Sequence, residues 1–133
     1  MSESPKKLLF VCIENSNRSQ MAEAFAKIHG AGRFESHSSG SRPSGIVNPK
    51  AIAAMKELGY DLAKHGSKPL DQIPQVEYDA VVTMGCGDSC PWIEAKRRED
   101  WQIPDPKHME PEEFRKVRDL IESKVKNLLS ELK

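Results

Sequence analysis

The stretch FVCIENSNRSQMAEAF, residues 10–25, sets the reading of the whole chain. An apolar run (Leu8, Leu9, Phe10, Val11) ends at Cys12, and a short polar loop leads to Arg18 and Ser19. Beyond them Met21, Ala22, Phe25, Ala26 and Ile28 recur at helical spacing. A short run that is apolar throughout fits a strand buried on both faces, as in a parallel sheet. The segment after it predicts a helix over 19–29, closed by Gly30 and Gly32. A loop that joins a strand to a helix N-terminus turns several backbone N–H groups toward one point. With the helix dipole behind them, they make an anion site. Arg18 adds a planar fork that matches two oxygens of a tetrahedral oxyanion. The same field favours the thiolate form of a sulfur placed there, and the thiolate is the nucleophile. The candidate oxyanion cradle is therefore Cys12, Ile13, Glu14, Asn15, Ser16, Asn17 and Arg18, with Cys12 beneath the bound ion and aimed at its central atom. Ser19 can donate a hydrogen bond to the Cys12 sulfur, and the Asn15 side-chain amide can hold the loop in shape. A lone cysteine on an apolar strand is ordinarily a packing residue. It is the joint pattern of strand, C-x5-R-S and helix that argues for chemistry.

Working outward, residues 33–38 read as a weak second strand and 39–49 as a loop rich in Ser, Gly and Pro. Pro49 suits the first turn of a helix running to about residue 58 and stopped by Gly59. YDAVVTMG, residues 78–85, is the clearest later strand. Residues 86–106 are irregular, with a short strand expected at 101–103. A long amphipathic helix is expected over 111–132, its apolar face formed by Phe114, Val117, Leu120, Ile121, Val125, Leu128 and Leu129. Strands separated by helical segments imply a single α/β domain over 1–133. The expected architecture is a three-layer sandwich, a four-stranded parallel sheet with helices on both faces. Ligands in such sheets bind at the carboxyl ends of the strands, where Cys12, Cys86 and Cys90 all fall.

The bulk numbers agree with one globular domain. The chain has 133 residues, 20 Lys plus Arg and 20 Asp plus Glu, for a formal net charge of zero. That balance favours neither nucleic acid nor an anionic membrane as partner. No apolar run approaches the roughly 20 residues of a membrane span. The polar N-terminus lacks a signal-peptide core, so the expected location is cytoplasmic. Three cysteines, an odd and low count, argue against a disulfide framework. They lack the paired C-x2-C spacing of a structural zinc site, so no metal is expected.

Cys12-x5-Arg18-Ser19 resembles the phosphate loop of the low-molecular-weight tyrosine phosphatase fold, and NSNRSQMAEAF resembles the arsenate reductases of that fold. Residues 47–62, 79–91 and 99–106 follow in the same family order. The resemblance implies that Cys12 attacks arsenate. Asp105 of the Asp105-Pro106 pair would be the general acid that protonates the leaving oxygen. Pro106 would restrict Asp105 to extended conformations. Asp88 and Asp100 are weaker candidates for that role. The resemblance also implies a thiol relay. A Cys12–Cys86 disulfide would pass to Cys86–Cys90, and an external reductant, thioredoxin, would reopen it. No tightly bound cofactor is implied, and phosphate or sulfate would serve as arsenate analogues. The C-x3-C spacing of Cys86 and Cys90 is tighter than in thioredoxin-linked relatives. MGCGDSCP resembles the actinobacterial type, so a small thiol such as mycothiol stays open as the electron source. Phosphate-monoester hydrolysis, phosphotyrosine included, stays open too, because Cys12, Arg18 and Asp105 would serve both reactions. Against it, KRREDWQIPDP has no paired tyrosines to stack on such a substrate, so only weak phosphatase side activity is expected. Glu23, Ser39 and Lys68 fall where relatives build a monovalent cation site, with the Lys68 ammonium as a stand-in for potassium. His37, His65 and His108 read as surface or capping residues, and Lys96, Arg97 and Arg98 as a solvated face.

Overall fold

Strand β1, Lys6–Cys12, is central because its residues are apolar on both faces. It pairs in parallel with β2, Phe34–Gly40, on one side and with β3, Ala80–Thr83, on the other. A short β4, Arg98–Asp100, adds in parallel to β3, giving the order β2-β1-β3-β4. A computed structural model of the chain describes residues 5–84 and 93–132. The helices are α1, Arg18–His29, α2, Pro49–Lys56, and α3, Pro111–Leu132. The chain leaves β1 for one neighbour and later returns to pair on its other side. The carboxyl end of β1 is thus the switch point of the sheet, and Cys12 sits on it.

The alternation of β1 divides the core. Leu8, Phe10 and Cys12, with Ala80 and Val82, pack against Met21 and Phe25 of α1, Met55 of α2, and Phe114 and Ile121 of α3. Leu9, Val11 and Val81 form a second cluster on the opposite face with Ile73 and Tyr78. Helical cover on that face, among the described residues, is the 3-10 turn Leu70–Gln72. The apolar stripe of α3 holds as expected except at Leu120, which is 40% exposed while Ile121 is fully buried. α2 starts as its sequence requires: the Asn48 side chain accepts from the Lys50 amide at 2.9 Å and Pro49 takes the first turn.

Two strands differ from expectation. β2 runs on through Ser39 to Gly40, where the sequence suggested a loop. Its serines are held by α1: Ser36 Oγ donates to the Glu23 carbonyl at 3.1 Å, and Ser38 Oγ to Glu23 Oε1 at 2.5 Å. Hydrogen bonding thus replaces the apolar packing that a sequence pattern detects. The short strand expected at 101–103 lies instead at Arg98–Asp100. Trp101 and Ile103 are apolar because they plug the core, Trp101 lying 6.0 Å from the Phe10 ring, and not because they form a ladder. The exposed edge of the sheet is charged, which discourages pairing with another chain.

Candidate active site

Residues 12–17 leave β1 and turn into α1 as a tight ring. The Cys12 and Ile13 carbonyls accept from the amides of Ser41 and Arg42 at 3.2 and 2.8 Å. The Glu14 carbonyl accepts from the Ser44 amide and the Ser67 hydroxyl, and the Ser16 carbonyl from the Asn48 amide. Gln20 Nε2 donates to the Asn15 carbonyl at 3.0 Å, and the Met21 amide to that of Asn17. Each carbonyl of the ring is therefore engaged away from its centre. In a trans peptide the next N–H points opposite to the C=O. The amides of residues 13–18 consequently face inward, at the positive end of α1. The geometry demands a close approach by β2. A Cβ on Gly40 would lie 2.5 Å from the Ile13 carbonyl oxygen and 2.9 Å from the Asn15 nitrogen.

Asn15 takes the left-handed conformation at φ 51° and is fully buried. Asparagine tolerates this region better than most residues. Its amide braces the loop from beneath. Nδ2 donates to Ser19 Oγ at 2.8 Å, and Oδ1 accepts from the Lys68 amide and from Gln20 Nε2, both at 2.9 Å. Ser19 Oγ, already an acceptor from Asn15, lies 2.9 Å from Cys12 Sγ. Either atom can donate across that contact, and the Ser19 hydroxyl proton is free to point at the sulfur.

The pocket over Cys12 is lined by residues 12–14 and 16–18 with Asp105, and its volume is about 60 Å³. A water needs roughly 10–15 Å³ in this measure, so the space suits a handful of heavy atoms. Arg18 is buried; its Nη1 donates to the Ile103 carbonyl at 3.0 Å and its Nη2 lies 3.9 Å from Asp105 Oδ2. This places Asp105 on the rim, its side chain 48% exposed. Asp100 is turned elsewhere: it accepts from Thr83 Oγ1 at 2.8 Å and from Gln102 at 2.7 Å. Cys86, Cys90 and Asp88 lie outside the described residues.

The sequence missed a network beneath the loop. His65, expected at the surface, has a side chain only 5% exposed. Gln20 Nε2 also donates to the Gly66 carbonyl, so its amide oxygen is left to accept from His65 Nδ1 at 2.9 Å. His65 Nε2 then accepts from the Tyr60 hydroxyl at 2.6 Å. Burial pushes the Tyr60 phenol up to about 12, which keeps it a donor. The signal available in the sequence was Gln20, a polar residue on the helix face that carries Met21 and Ala24 into the core. Glu23 and Lys68 do come together, at 3.8 Å, with Lys27 on the other carboxylate oxygen at 3.3 Å. Ser38, not Ser39, contacts Glu23, because the pleat of β2 turns Ser36 and Ser38 toward α1. Arg97, read as part of a solvated face, pairs with Glu99 and Glu131.

Burial holds the His65 imidazole below its usual 6.5, opposed by Glu23 and reinforced by Lys27, Lys68 and Lys64. The sign follows. At pH values just under 6.5 the unfolded chain takes up a proton that the folded chain refuses. This group's contribution is therefore complete above 6.5 and declines as pH falls toward the lowered folded value. One proton corresponds to a slope of at most about 1.4 kcal/mol per pH unit. Urea melts across this range should show the slope in the wild type and a shallower one in His65→Gln; equal slopes would rule it out.

Comparison with known proteins bears on the family and the fold. The family described as low molecular weight phosphotyrosine protein phosphatase matches residues 7–133. A glutaredoxin arsenate reductase of Synechocystis sp. is 42% identical over 130 residues, spanning 96% of this chain and 98% of that protein. A solved arsenate reductase in the phosphate binding state superposes with a TM-score of 0.88 at 42% identity, covering 96% of this chain and 99% of that one. A thioredoxin-dependent arsenate reductase of Corynebacterium glutamicum superposes with a TM-score of 0.79 at 26% identity, covering 98% of this chain and 63% of that one.

Proposed function

The chain belongs to the low molecular weight phosphotyrosine protein phosphatase family, and from that membership we propose that it reduces arsenate to arsenite. The observation that carries the reading is a sulfur on the floor of an ion-sized pocket, in a chain similar over nearly its whole length to arsenate reductases. The inward amides of residues 13–18 and the Arg18 guanidinium bind the tetrahedral oxyanion. Ser19 steadies the Cys12 thiolate, which attacks arsenic. Asp105 protonates the departing oxygen, so that water leaves and a Cys12–arsenic bond forms.

Reduction then needs two electrons. A second thiolate, assigned to Cys86, attacks the Cys12 sulfur. The sulfur–arsenic pair stays on arsenic, arsenite departs, and a Cys12–Cys86 disulfide remains. Cys90 attacks Cys86, frees Cys12 and carries the disulfide to Cys86–Cys90, which an external dithiol reduces. Thioredoxin is the donor we favour, in a reducing cytoplasm that keeps the thiols free. A second reading has its own support: glutathione with a glutaredoxin would serve instead, since the 42% identical Synechocystis relative is named for glutaredoxin. Phosphatase action on aryl esters is disfavoured by a pocket of about 60 Å³ whose lining, among the described residues, holds no aromatic side chain.

The test is arsenate-dependent NADPH consumption with thioredoxin and its reductase, set beside glutathione, glutaredoxin and glutathione reductase. Thioredoxin should support turnover, and Cys86→Ser and Cys90→Ser should each abolish it. Full activity in Cys90→Ser would remove the relay, and turnover only with the glutathione system would select the second donor. Rapid aryl phosphate cleavage with no arsenate turnover on any donor, mycothiol included, would overturn arsenate reduction itself.

A further inference from the structure

Beside the Arg18–Asp105 contact, the loop that carries Asp105 meets the phosphate loop through a second pair of opposite charges, Glu14 and Lys107. Lys107 Nζ lies 3.0 and 3.2 Å from the two carboxylate oxygens of Glu14. The Lys107 amide donates to Asp105 Oδ1 at 3.1 Å, so one residue contacts both Asp105 and Glu14, two residues that line the pocket. Further ties on this loop, among the described residues, involve backbone carbonyls. Arg18 holds the Ile103 carbonyl, and Lys50 Nζ reaches the carbonyls of Lys107 and Met109 at 3.3 and 3.2 Å. The Glu14–Lys107 pair is on the solvent side, with the two side chains 37% and 44% exposed. A pair exposed to that degree biases an equilibrium by about fivefold at most, so it ties the two loops together without locking them. Glu14 also poses a problem of charge. A carboxylate at the mouth of an anion site repels an incoming dianion unless a cation cancels it, and Lys107 does so.

We propose that the Glu14–Lys107 ion pair is a specificity-determining latch. It keeps the pocket at the size of a free inorganic oxyanion and disfavours oxyanions that carry a bulky substituent. The proposal rests on reading residues 12–18 as an oxyanion cradle, and it deepens the arsenate assignment by naming what excludes esters.

The experiment reads anion binding without turnover. Iodoacetamide alkylation of Cys12 is followed by peptide mass, with inorganic phosphate or phenylphosphonate added as protectant. In the wild type phosphate should protect at much the lower concentration. The ratio of the two half-protecting concentrations should narrow roughly fivefold in Lys107→Ala and in Glu14→Gln, the upper range for an exposed pair. Exchanging the charges, Glu14→Lys together with Lys107→Glu, should restore the ratio. Raised sodium chloride should narrow it in the wild type and leave Lys107→Ala unmoved. Charge by itself moves both protectants together, upward in Lys107→Ala and downward in Glu14→Gln. A ratio that stays constant in the single variants, or that the exchange fails to restore, overturns the latch. Arsenate turnover is measured separately. If it is intact while the ratio never moves, only the latch falls; if it is absent with every donor, the arsenate assignment falls while Cys12 protection still reports on the latch.

Discussion

Cys12→Ser is expected to lower arsenate reduction by at least about three orders of magnitude while leaving the oxyanion site able to bind. A serine hydroxyl is a far weaker nucleophile than a thiolate. An oxygen–arsenic ester also offers no sulfur for a second thiolate to attack, so the electrons have no route onto arsenic. The substitution is close to isosteric, and the side chain sits within hydrogen-bonding reach of Ser19. The amides that hold the anion belong to residues 13–18 and their orientation is set by carbonyl partners elsewhere. Inorganic phosphate should therefore still raise the melting temperature of the variant; at a hundredfold excess over its dissociation constant the stabilisation is about 2.7 kcal/mol. Turnover within tenfold of the wild type would show that the attacking group lies elsewhere. Loss of the phosphate effect would show that the sulfur itself organises the ring.

Arg18→Lys keeps the charge and removes the fork. The expected result is a fall of about 10²–10³ in kcat/KM, the range found when a preorganised donor to a developing oxyanion is removed. The guanidinium reaches the Ile103 carbonyl with one nitrogen and the pocket with the other; a single ammonium cannot do both. Part of the loss should appear as weaker phosphate-induced stabilisation. The orphaned Ile103 carbonyl should add a stability decrease of about 1–3 kcal/mol without ligand, read from urea melts. A variant that retains wild-type kcat/KM would show that charge alone suffices and that the bidentate geometry is incidental.

Much of the site was legible because its logic is local. A strand, five loop positions and a helix N-terminus lie within one short stretch, and each feature is a sequence feature: apolar run, thiol, guanidinium, helical period. What escaped was whatever the fold assembles from afar. His65 and Tyr60 reach the loop through Gln20, and no periodicity marks a polar residue that is buried because its partners are. Ser39 was named where Ser38 acts, since the pleat of a polar strand cannot be phased without apolar residues to phase it. Trp101 and Ile103 imitated a strand because core plugs and ladder residues share the same chemistry. Lys107 carried no signal; its importance comes from standing opposite Glu14 across a gap between segments distant in sequence.

The outward bonding of every carbonyl in residues 12–17 has a further consequence, for the entropy of recognition. A flexible loop that closed on its anion would surrender backbone freedom at each encounter, and affinity would fall by that amount. Here the freedom is already lost when residues 41–48, Ser67 and the start of α1 engage the ring, so the rate and heat of anion capture should reflect desolvation of the ion and little refolding of the protein.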